Sequence, residues 1–343
     1  MTMQGGPRSF AFKKSGGITM GQLTRRVVLG AGGAFAIAPS AQAQAFPSKP
    51  SRFLVPYPVG GIVDIVSRSL ADPMQADLGQ PVVVEPKPGG NSTLATAMIP
   101  QAPADGYTWL MATISHVVVP HLQPVPYDAL ADFQPVALVA VATSVAVVNP
   151  SLPITTLKEL VEYGKANPGK LNYLNPGNGS SIHLSAELLK NQYKFDMISV
   201  PYRGIPPGMT DLLEGRLQVG LLPGPLAIQH VQSGKLRALA VLADKRLATL
   251  PDVPTFAEAG FGNAQVMSWY VISVRSGTPA AIVERLHGSA MKALQSAETR
   301  DRLGKAGCEV PAPRSPADIM AMWKADYARY GKLVKEAGIK GDS

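Results

Sequence analysis

Short apolar runs alternate with segments of helical period from about residue 53 to residue 242. Runs this short have the length of strands, and the segments between them have the spacing of helices that cover a sheet. The first set comprises strands Phe53–Val55, Val82–Glu85, Thr108–Ala112 and Ala137–Val141 and helices Asp64–Asp77 and Thr93–Gln101. The second set comprises a helix from about Thr156, strand Leu171–Leu174, helix Ser181–Tyr193, strand Met197–Val200, helix Pro207–Glu214 and strands Gln218–Leu222 and Arg237–Leu242. The alternation predicts an α/β protein of two similar domains.

Capping signals predict where several helices begin. Thr156-x-x-Glu159 is a capping box at the start of the second set. After a further strand, QVMSWYVISV, two helices are predicted with proline as the first residue behind a hydroxyl cap: Pro279 behind Thr278, and Pro316 behind Ser315.

The net charge of +8 would favour nucleic-acid binding if it were spread over the folded part. Residues 1–43 hold five of the 32 basic residues and no acid, which leaves 27 basic residues against 24 acidic ones. The remainder has no basic run. Nucleic-acid binding therefore loses its main support.

The first 43 residues have the features of an export signal. The twin arginine Arg25-Arg26 precedes an apolar run, Val27–Ala38, and a small-residue cleavage pattern, Ala41-Gln42-Ala43. The run is too short to span a bilayer. We expect cleavage near Ala43 and a periplasmic location.

The export route stays open. Thr24-Arg25-Arg26 resembles the twin-arginine consensus, but Val28 and Gly30 replace its usual Phe and Lys, so Sec export is the alternative. Because the stretch is long for a signal, we expect translation to begin at Met20.

Cysteine and histidine usage gives no sign of a metal site. The single cysteine, Cys308, excludes an internal disulfide and a cysteine-based metal site. The histidines show no HxxxH or HxH spacing. We expect no metal and no cofactor.

Two glycines and an acid lie where the first strand meets the first helix, in PYPVGGIVD. Gly60 and Gly61 lack a Cβ, so the backbone can turn with positive φ and bring N–H groups close to a ligand. A helix N-terminus adds unpaired N–H groups and a partial positive charge, which together favour a carboxylate. A turn that only closes the fold fits the same residues, and Asp64 has the position of a helix cap.

A second glycine-rich joint of the same kind, NPGNGSSIHL, begins at Asn175. Ser180 and Ser181 place hydroxyl groups at the start of the following helix. Two such joints on two domains can face each other across a cleft and hold one anionic small molecule. Catalysis by Ser181 and His183 is disfavoured, because residues two apart at a helix start do not face each other and no GxSxG elbow is present.

A succession of motifs runs in order from about Pro47 to Lys340. These motifs are VPYPVGGIVDIVSR, GQPVVVEPKPG, DGYTWLMAT, DFQPVALVA, NPGKLNYLNPGNGSSIHLSAELL, VPYRGIPPGMTDLLEGR, GKLRALAVLADKR, LPDVPTFAEAG and WYVISVRSGTP. The succession resembles the Bug/TctC family, the extracytoplasmic solute receptors of tripartite tricarboxylate transporters. The resemblance implies an α/β, two-lobe hinged periplasmic binding protein fold (type II-like) with a mixed central sheet in each lobe. We expect 46–146 plus 265–343 to form one discontinuous lobe and 147–264 the other, with VAVVNPS and QVMSWYV as crossing strands.

The resemblance implies a receptor, not an enzyme, that binds a small carboxylate between its lobes and hands it to the membrane subunits of a transporter. We expect a monomer. A receptor without its own transporter, which presents its solute to a periplasmic sensor domain, is the alternative. A secreted serine hydrolase using Ser181 and His183 is the least favoured function.

The resemblance also implies the ligand-binding residues. The first ligand loop of the family falls on Tyr57–Asp64, the second on Asn175–Ser181 with His183, and the PY(K/R)G turn on Pro201–Gly204. The candidate residues are Tyr57, Val59, Gly60, Gly61, Ile62, Val63, Asp64, Thr113, Ser115, Asn178, Ser180, Ser181, His183, Tyr202, Arg203 and Gly204. Backbone amides and water hold the carboxylate in families of this kind. Arg203 is either a charge-assisted partner or a solvated surface residue.

Three departures from the family pattern bear on the solute. Ile62 and Val63 replace the usual Pro and hydroxyl residue, and Leu222-Pro223-Gly224-Pro225 replaces a segment that often carries an acid or amide. In PGGNSTLA, Thr93 and Ala95 replace Asn and Gly. These changes predict a solute less polar than citrate, an aromatic or short apolar carboxylate. The alternative is that these side chains pack against the lobe and only the backbone faces the ligand.

Overall fold

The computed structural model describes residues 46–243, 245–262 and 266–339, all of which belong to the compact unit Gln44–Ser343. The expected export signal, 1–43, lies outside the described residues. No helix in the described ranges is long and apolar enough to cross a membrane.

Strands and helices alternate along the chain, as the apolar runs predict. The strands are β1 Ser51–Val55, β2 Val82–Pro86, β3 Thr108–Thr113, β4 Phe133–Ala142, β5 Ser144–Val148, β6 Asn172–Asn175, β7 Ile198–Pro201, β8 Val219–Pro223, β9 Arg237–Leu242, β10 Ser268–Arg275 and β11 Cys308–Glu309. The helices are α1 Ile62–Leu78, α2 Thr93–Thr96, α3 Met98–Gln101, α4 Ser115–Leu122, α5 Leu157–Ala166, α6 Ser181–Tyr193, α7 Ile205–Leu213, α8 Gly224–Gln232, α9 Ala280–Gln295, α10 Ala297–Lys305 and α11 Pro316–Ala337. A short 3-10 turn, Gly90–Ser92, precedes α2.

The first sheet has the strand order β11-β4-β10-β3-β1-β2 and forms what we call lobe 1. Strand β1 is parallel to β2 and β3, whereas β10 is antiparallel to β3 and β4, so the sheet is mixed. Side chains alternate between its faces. Phe53 packs in a core with α1, α9 and α10, and its neighbour Leu54 packs in a second core with α4 and α11.

The second sheet has the strand order β7-β6-β8-β5-β9 and forms lobe 2. Strand β6 is parallel to β7 and β8, and β5 is antiparallel to β8 and β9, so this sheet is also mixed. Its two faces bury separate cores, one with α5 and α6 and the other with α7 and α8.

Five helices each follow directly on a parallel strand, and this arrangement positions the site. Strands β1 and β3 of lobe 1 lead into α1 and α4, and strands β6, β7 and β8 of lobe 2 lead into α6, α7 and α8. Because parallel strands end at the same edge of their sheet, the helices of each lobe also begin at one edge.

Several predicted boundaries are confirmed. Helix α6 and strand β9 have the predicted bounds. Thr156 and Ser315 are the N-caps of α5 and α11, with capping boxes closed by Glu159 and Asp318.

Two predicted helix boundaries are wrong. Pro279 is the N-cap of α9 rather than its first residue, because the hydroxyl of Thr278 donates to the carbonyl of Arg275 and does not cap the helix. The predicted helix Thr93–Gln101 is divided at Ala97 into α2 and α3. Pro100 explains the break, since its ring would clash with the carbonyl four residues earlier in a continuous helix.

The first connection from lobe 1 to lobe 2 is a single residue. Ala142 ends β4 in the first sheet and Ser144 begins β5 in the second, so the chain changes sheets at Thr143. The expected domain boundary between 146 and 147 falls inside β5, all of which pairs with β8 and β9. We therefore propose Thr143 as the boundary.

Candidate functional site

A cavity of about 80 Å³ lies where the loops of the two lobes meet. One water molecule needs only about 10–15 Å³ on the same measure, so the cavity has room for a small solute. Its lining residues come from both lobes and from the strands beside the crossing: Tyr57, Pro58, Gly61, Ile62, Val63, Thr113, Ile114, Ser115, Ala142, Ser144, Pro176, Ser180, Ser181, Ile182, Gly204, Ile205, Pro206, Pro223, Ser268, Trp269 and Tyr270.

The starts of five helices converge on this cavity. The N-cap residues of α1, α4, α6, α7 and α8 all line it: Gly61, Ile114, Ser180, Gly204 and Pro223. A helix N-terminus carries unpaired N–H groups and roughly half a positive charge. The cavity is therefore an electropositive site built from backbone dipoles.

The helix starts differ in how many N–H groups they offer. Helix α1 begins with Ile62 and Val63 and has no side-chain cap, and the cap of α6 occupies only the N–H of His183. In α7 and α8 proline instead follows the first residue, which removes N–H donors from their first turns. The N–H of Gly224, the first residue of α8, donates to the carbonyl of Thr143. The two glycine-rich joints of the sequence prediction thus supply most of the free donors.

Hydroxyl groups lie beside the starts of α1, α4 and α6. Ser115 donates to the carbonyl of Gly179 at 3.3 Å, and the hydroxyl oxygens of Ser115 and Tyr57 are 2.9 Å apart. Thr113 Oγ1 is buried and has no hydrogen bond within the described ranges. These contacts join the loop before α1, the start of α4 and the turn before α6 into one polar wall.

The two tyrosine hydroxyls of the cavity stay neutral. Burial raises the pKa of Tyr57, and burial raises the pKa of Tyr270 well above its usual value. Both hydroxyls are therefore protonated donors at physiological pH.

No charged side chain lines the cavity among the described residues. The lining consists of backbone, hydroxyl groups and apolar side chains. An anion placed there would be stabilised by dipoles and hydrogen bonds rather than by a counter-ion.

Three residues predicted from the first loop do not line the cavity. Val59 is exposed, and Asp64 is buried beneath the loop. The carboxylate of Asp64 accepts the N–H of Gly60 at 3.0 Å and Nε of Arg68 at 2.9 Å, so it holds the turn together. Gly60 has a φ of +80°, the positive value that the glycine pair was expected to allow, whereas Gly61 has an ordinary φ of −76°.

Asn178 and His183 face a separate depression together with Glu187 and Ser199. Nδ1 of His183 accepts the N–H of Gly179 at 3.2 Å, and Asn178 accepts a hydrogen bond from Asn175 at 2.6 Å. Ser181 instead lines the cavity, with its hydroxyl 2.5 Å from that of Ser268. Ser181 and His183 therefore serve different surfaces, which argues against a catalytic pair.

Tyr202 and Arg203 line an open groove next to the cavity, opposite the loop 88–92. The groove and the cavity share four residues, Tyr57, Pro58, Pro176 and Gly204. The hydroxyl of Tyr202 donates to Asp211 at 2.5 Å. Arg203 is exposed and is the one charged residue of the groove lining in the described chain.

The residues that depart from the family pattern fall into two groups in the structure. Ile62, Val63 and Pro223 line the cavity, as the apolar-solute hypothesis expects. Leu222 and Ala95 are fully buried in lobe cores, as the alternative expects.

Sequence reasoning missed the part of the cavity formed near the crossing and at the starts of α7 and α8. These residues are Ala142, Ser144, Ile205, Pro206, Pro223, Ser268, Trp269 and Tyr270. The available signal was the predicted crossing segment QVMSWYV, because a strand that passes between two lobes must border the cleft between them.

Comparisons with known proteins agree with this geometry. The family model described as "Tripartite tricarboxylate transporter family receptor" matches residues 66–339. A UPF0065 protein of Pseudomonas sp. (strain P51), in the tcbD-tcbE intergenic region, is 34% identical over 294 residues, which are 85% of this chain and 87% of that protein.

Two solved structures are similar over nearly their whole length. An R. palustris protein with adipate is 32% identical with a TM-score of 0.80, covering 87% of this chain and 100% of that chain. MatC of Rhodopseudomonas palustris with bound malate is 31% identical with a TM-score of 0.79, covering 84% and 100%. These likenesses confirm the two-lobe α/β fold.

Proposed function

The chain belongs to the tripartite tricarboxylate transporter receptor (TctC) family, whose members are solute receptors and not enzymes, and we propose that it binds a small carboxylate in the cavity between its lobes. The observation that carries this proposal is the convergence of five helix N-termini on a cavity without charged side chains in the described part of its lining. Such a site favours an anion, and its described lining holds no histidine, carboxylate or amine that could activate a serine hydroxyl as a nucleophile.

The interactions available at this site can supply the binding free energy that a transport receptor needs. Micromolar affinity corresponds to about 8 kcal/mol. Two or three charge-assisted hydrogen bonds contribute about 1.5–3 kcal/mol each, and apolar burial adds about 25 cal/mol per Å². Part of this sum offsets the entropy lost on association.

The relatives support the same class of solute. Adipate and malate, the ligands named for the two similar structures, are both small carboxylates. Their chemistry fits a site made of amide and hydroxyl donors.

We further propose that the mature chain is exported, with cleavage near Ala43, and delivers its solute to the membrane subunits of a tripartite transporter. Presentation of the solute to a periplasmic sensor domain is the second candidate. Loss of solute uptake in cells that lack this receptor would support delivery, whereas intact uptake with loss of solute-induced gene expression would support the sensor.

The binding function is tested by thermal unfolding of the mature chain from Gln44, refolded to remove host solute. The panel contains mono-, di- and tricarboxylates and the amide of each acid. A ligand at a hundred times its Kd stabilises the protein by about 2.7 kcal/mol, which raises Tm by several degrees. We expect shifts with carboxylates alone; shifts with amides alone would overturn the anion site.

A further inference from the structure

The donors of the cavity are distributed unevenly. Helices α1 and α6 begin with N–H groups available, and the hydroxyls of Tyr57, Thr113 and Ser115 lie in the same wall. Proline follows the first residue of both α7 and α8 and removes N–H donors from their starts, and Pro206 and Pro223 line the cavity there. The wall at α1 and α6 therefore offers more N–H donors to a carboxylate than the wall at α7 and α8.

The lining at the starts of α7 and α8 is apolar, since Ile205, Pro206 and Pro223 contribute hydrocarbon surface there. Ile182 and Trp269 add further apolar surface, and the hydroxyl residues Ser144, Ser181, Ser268 and Tyr270 lie elsewhere in the lining. The apolar surface is suited to an alkyl chain or a ring, because burying it against a solute removes both from water.

A second carboxylate enclosed in this cavity would lack a counter-ion. No lysine, arginine or histidine lines it in the described part of the chain. The N–H groups of α1 and α6 replace a counter-ion for the first carboxylate, but a second carboxylate at the starts of α7 and α8 would meet fewer N–H donors, so its burial would be unfavourable.

From this asymmetry we propose that the solute is a monocarboxylate with an apolar body, its carboxylate at the starts of α1 and α6 and its hydrocarbon part against α7, α8 and Trp269. This inference rests on the proposed carboxylate-binding function. It distinguishes the chain from the relative whose structure contains the dicarboxylate adipate.

The test compares acids that differ in one group. Hexanoate and adipate have the same six-carbon chain, with a methyl group in hexanoate where adipate has its second carboxylate. Benzoate and terephthalate form the matched aromatic pair, and further pairs cover shorter and longer chains. Kd values are measured by titration calorimetry on the refolded mature chain. We expect the best monocarboxylate to bind at least tenfold more tightly than its matched dicarboxylate.

Each outcome separates this inference from the proposed function. A dicarboxylate that binds as tightly as its partner, or more tightly, would overturn the inference and leave carboxylate binding intact. Binding of hexanamide or benzamide without binding of any carboxylate would overturn both.

A charge introduced at the apolar wall gives a second test. Ile205 is the first residue of α7 and lines the cavity, so Ile205→Arg adds a guanidinium to the wall that the proposal assigns to the hydrocarbon part of the solute. We expect at least a tenfold gain in adipate affinity relative to hexanoate. The control is Ile198→Arg, at an exposed position of the same lobe outside the cavity, which should leave the preference unchanged. An unchanged preference in folded Ile205→Arg would contradict the assignment of this wall.

Discussion

At the scale of single residues, Gly61 tests whether the first loop binds the ligand. Its φ of −76° suits any residue, but a Cβ would lie 3.3 Å from the carbonyl oxygen of Pro58, and the residue lines the cavity. We expect Gly61→Val to weaken carboxylate binding at least tenfold while changing the free energy of unfolding by no more than about 1 kcal/mol. Titration calorimetry and urea unfolding measure the two effects.

The matched control is Gly60→Ala. Gly60 has a φ of +80°, and a Cβ added there would meet no atom within 4 Å, so the change costs about 1–2 kcal/mol of backbone strain without filling the cavity. Retained affinity in Gly61→Val would show that the first loop is not the binding site.

Arg203 is placed to affect how fast the ligand arrives. It is exposed in the groove that adjoins the cavity, and it does not line the cavity itself. A positive charge in a groove beside the cavity accelerates association of an anion, and salt screens this effect. We expect Arg203→Gln to lower the association rate constant at low salt, with little change at high salt or in the dissociation rate.

Stopped-flow kinetics at two salt concentrations measures this effect. Lys170→Gln, at an exposed position outside the groove, is the control. A faster dissociation rate in Arg203→Gln would instead indicate direct contact with the bound ligand.

At the scale of elements, the turn before α6 packs against α4 of the other lobe. A Cβ on Gly179 would lie 3.0 Å from Val119 and 3.1 Å from Leu122. We expect Gly179→Ala to hold the lobes apart and weaken ligand binding at least tenfold, because α4 and α6 could not approach as closely. Small-angle X-ray scattering with ligand should show a larger radius of gyration than for the unaltered protein.

Gly169→Ala separates packing from backbone strain. Gly169 has a φ of +75°, close to the +80° of Gly179, but no atom lies within 4 Å of the added carbon. Both variants should lose similar stability from strain, and only Gly179→Ala should lose affinity. Equal affinities in the two variants would rule out a role for this contact in closure.

The sequence was sufficient for elements with a clear local signal. Helix α6 follows a serine cap, and strand β9 is apolar after its first residue, Arg237, so both have their predicted bounds. Helices α4 and α8 were not predicted. Helix α4 is rich in valine and contains Pro120, and α8 begins after Pro223-Gly224-Pro225, a sequence that is typical of a turn.

The candidate site could be predicted only in part, because only part of it carries a local signal. The turns before α1 and α6 carry glycines and hydroxyl residues, which are local signals of an anion site. The convergence of Ile114, Gly204 and Pro223 on the same cavity depends on how parallel strands align within each sheet and how the sheets face each other. No single segment contains that information.

At the scale of the whole molecule, the stability of the protein depends on pH through His116 in the core of lobe 1. The ring is buried against Phe133 and Trp323, with Nε2 bonded to the carbonyl of Ala129 and no partner for Nδ1 among the described residues. Burial lowers the pKa of His116 from 6.5 to about 4. In the unfolded chain the His116 ring is protonated at a higher pH than it is when buried. The stability that the neutral ring contributes is therefore fully present above pH 6.5 and is lost as the pH falls toward 4.

The difference in pKa corresponds to about 3 kcal/mol of unfolding free energy. Urea unfolding between pH 7 and pH 4 measures it. His116→Gln retains an N–H donor but does not titrate, so its stability should depend less on pH over this range. A wild-type stability that stays level between pH 6.5 and pH 4 would contradict a buried neutral ring.

The absence of charged side chains from the described cavity lining has a consequence for recognition by a partner. Dipoles that hold an anion do not cancel its field, and that field falls off slowly through the poorly polarisable interior of the two lobes. The electrostatic potential around the entrance therefore becomes more negative when the cavity is occupied. A partner surface that spans both lobes would meet a receptor that signals occupancy by charge as well as by shape.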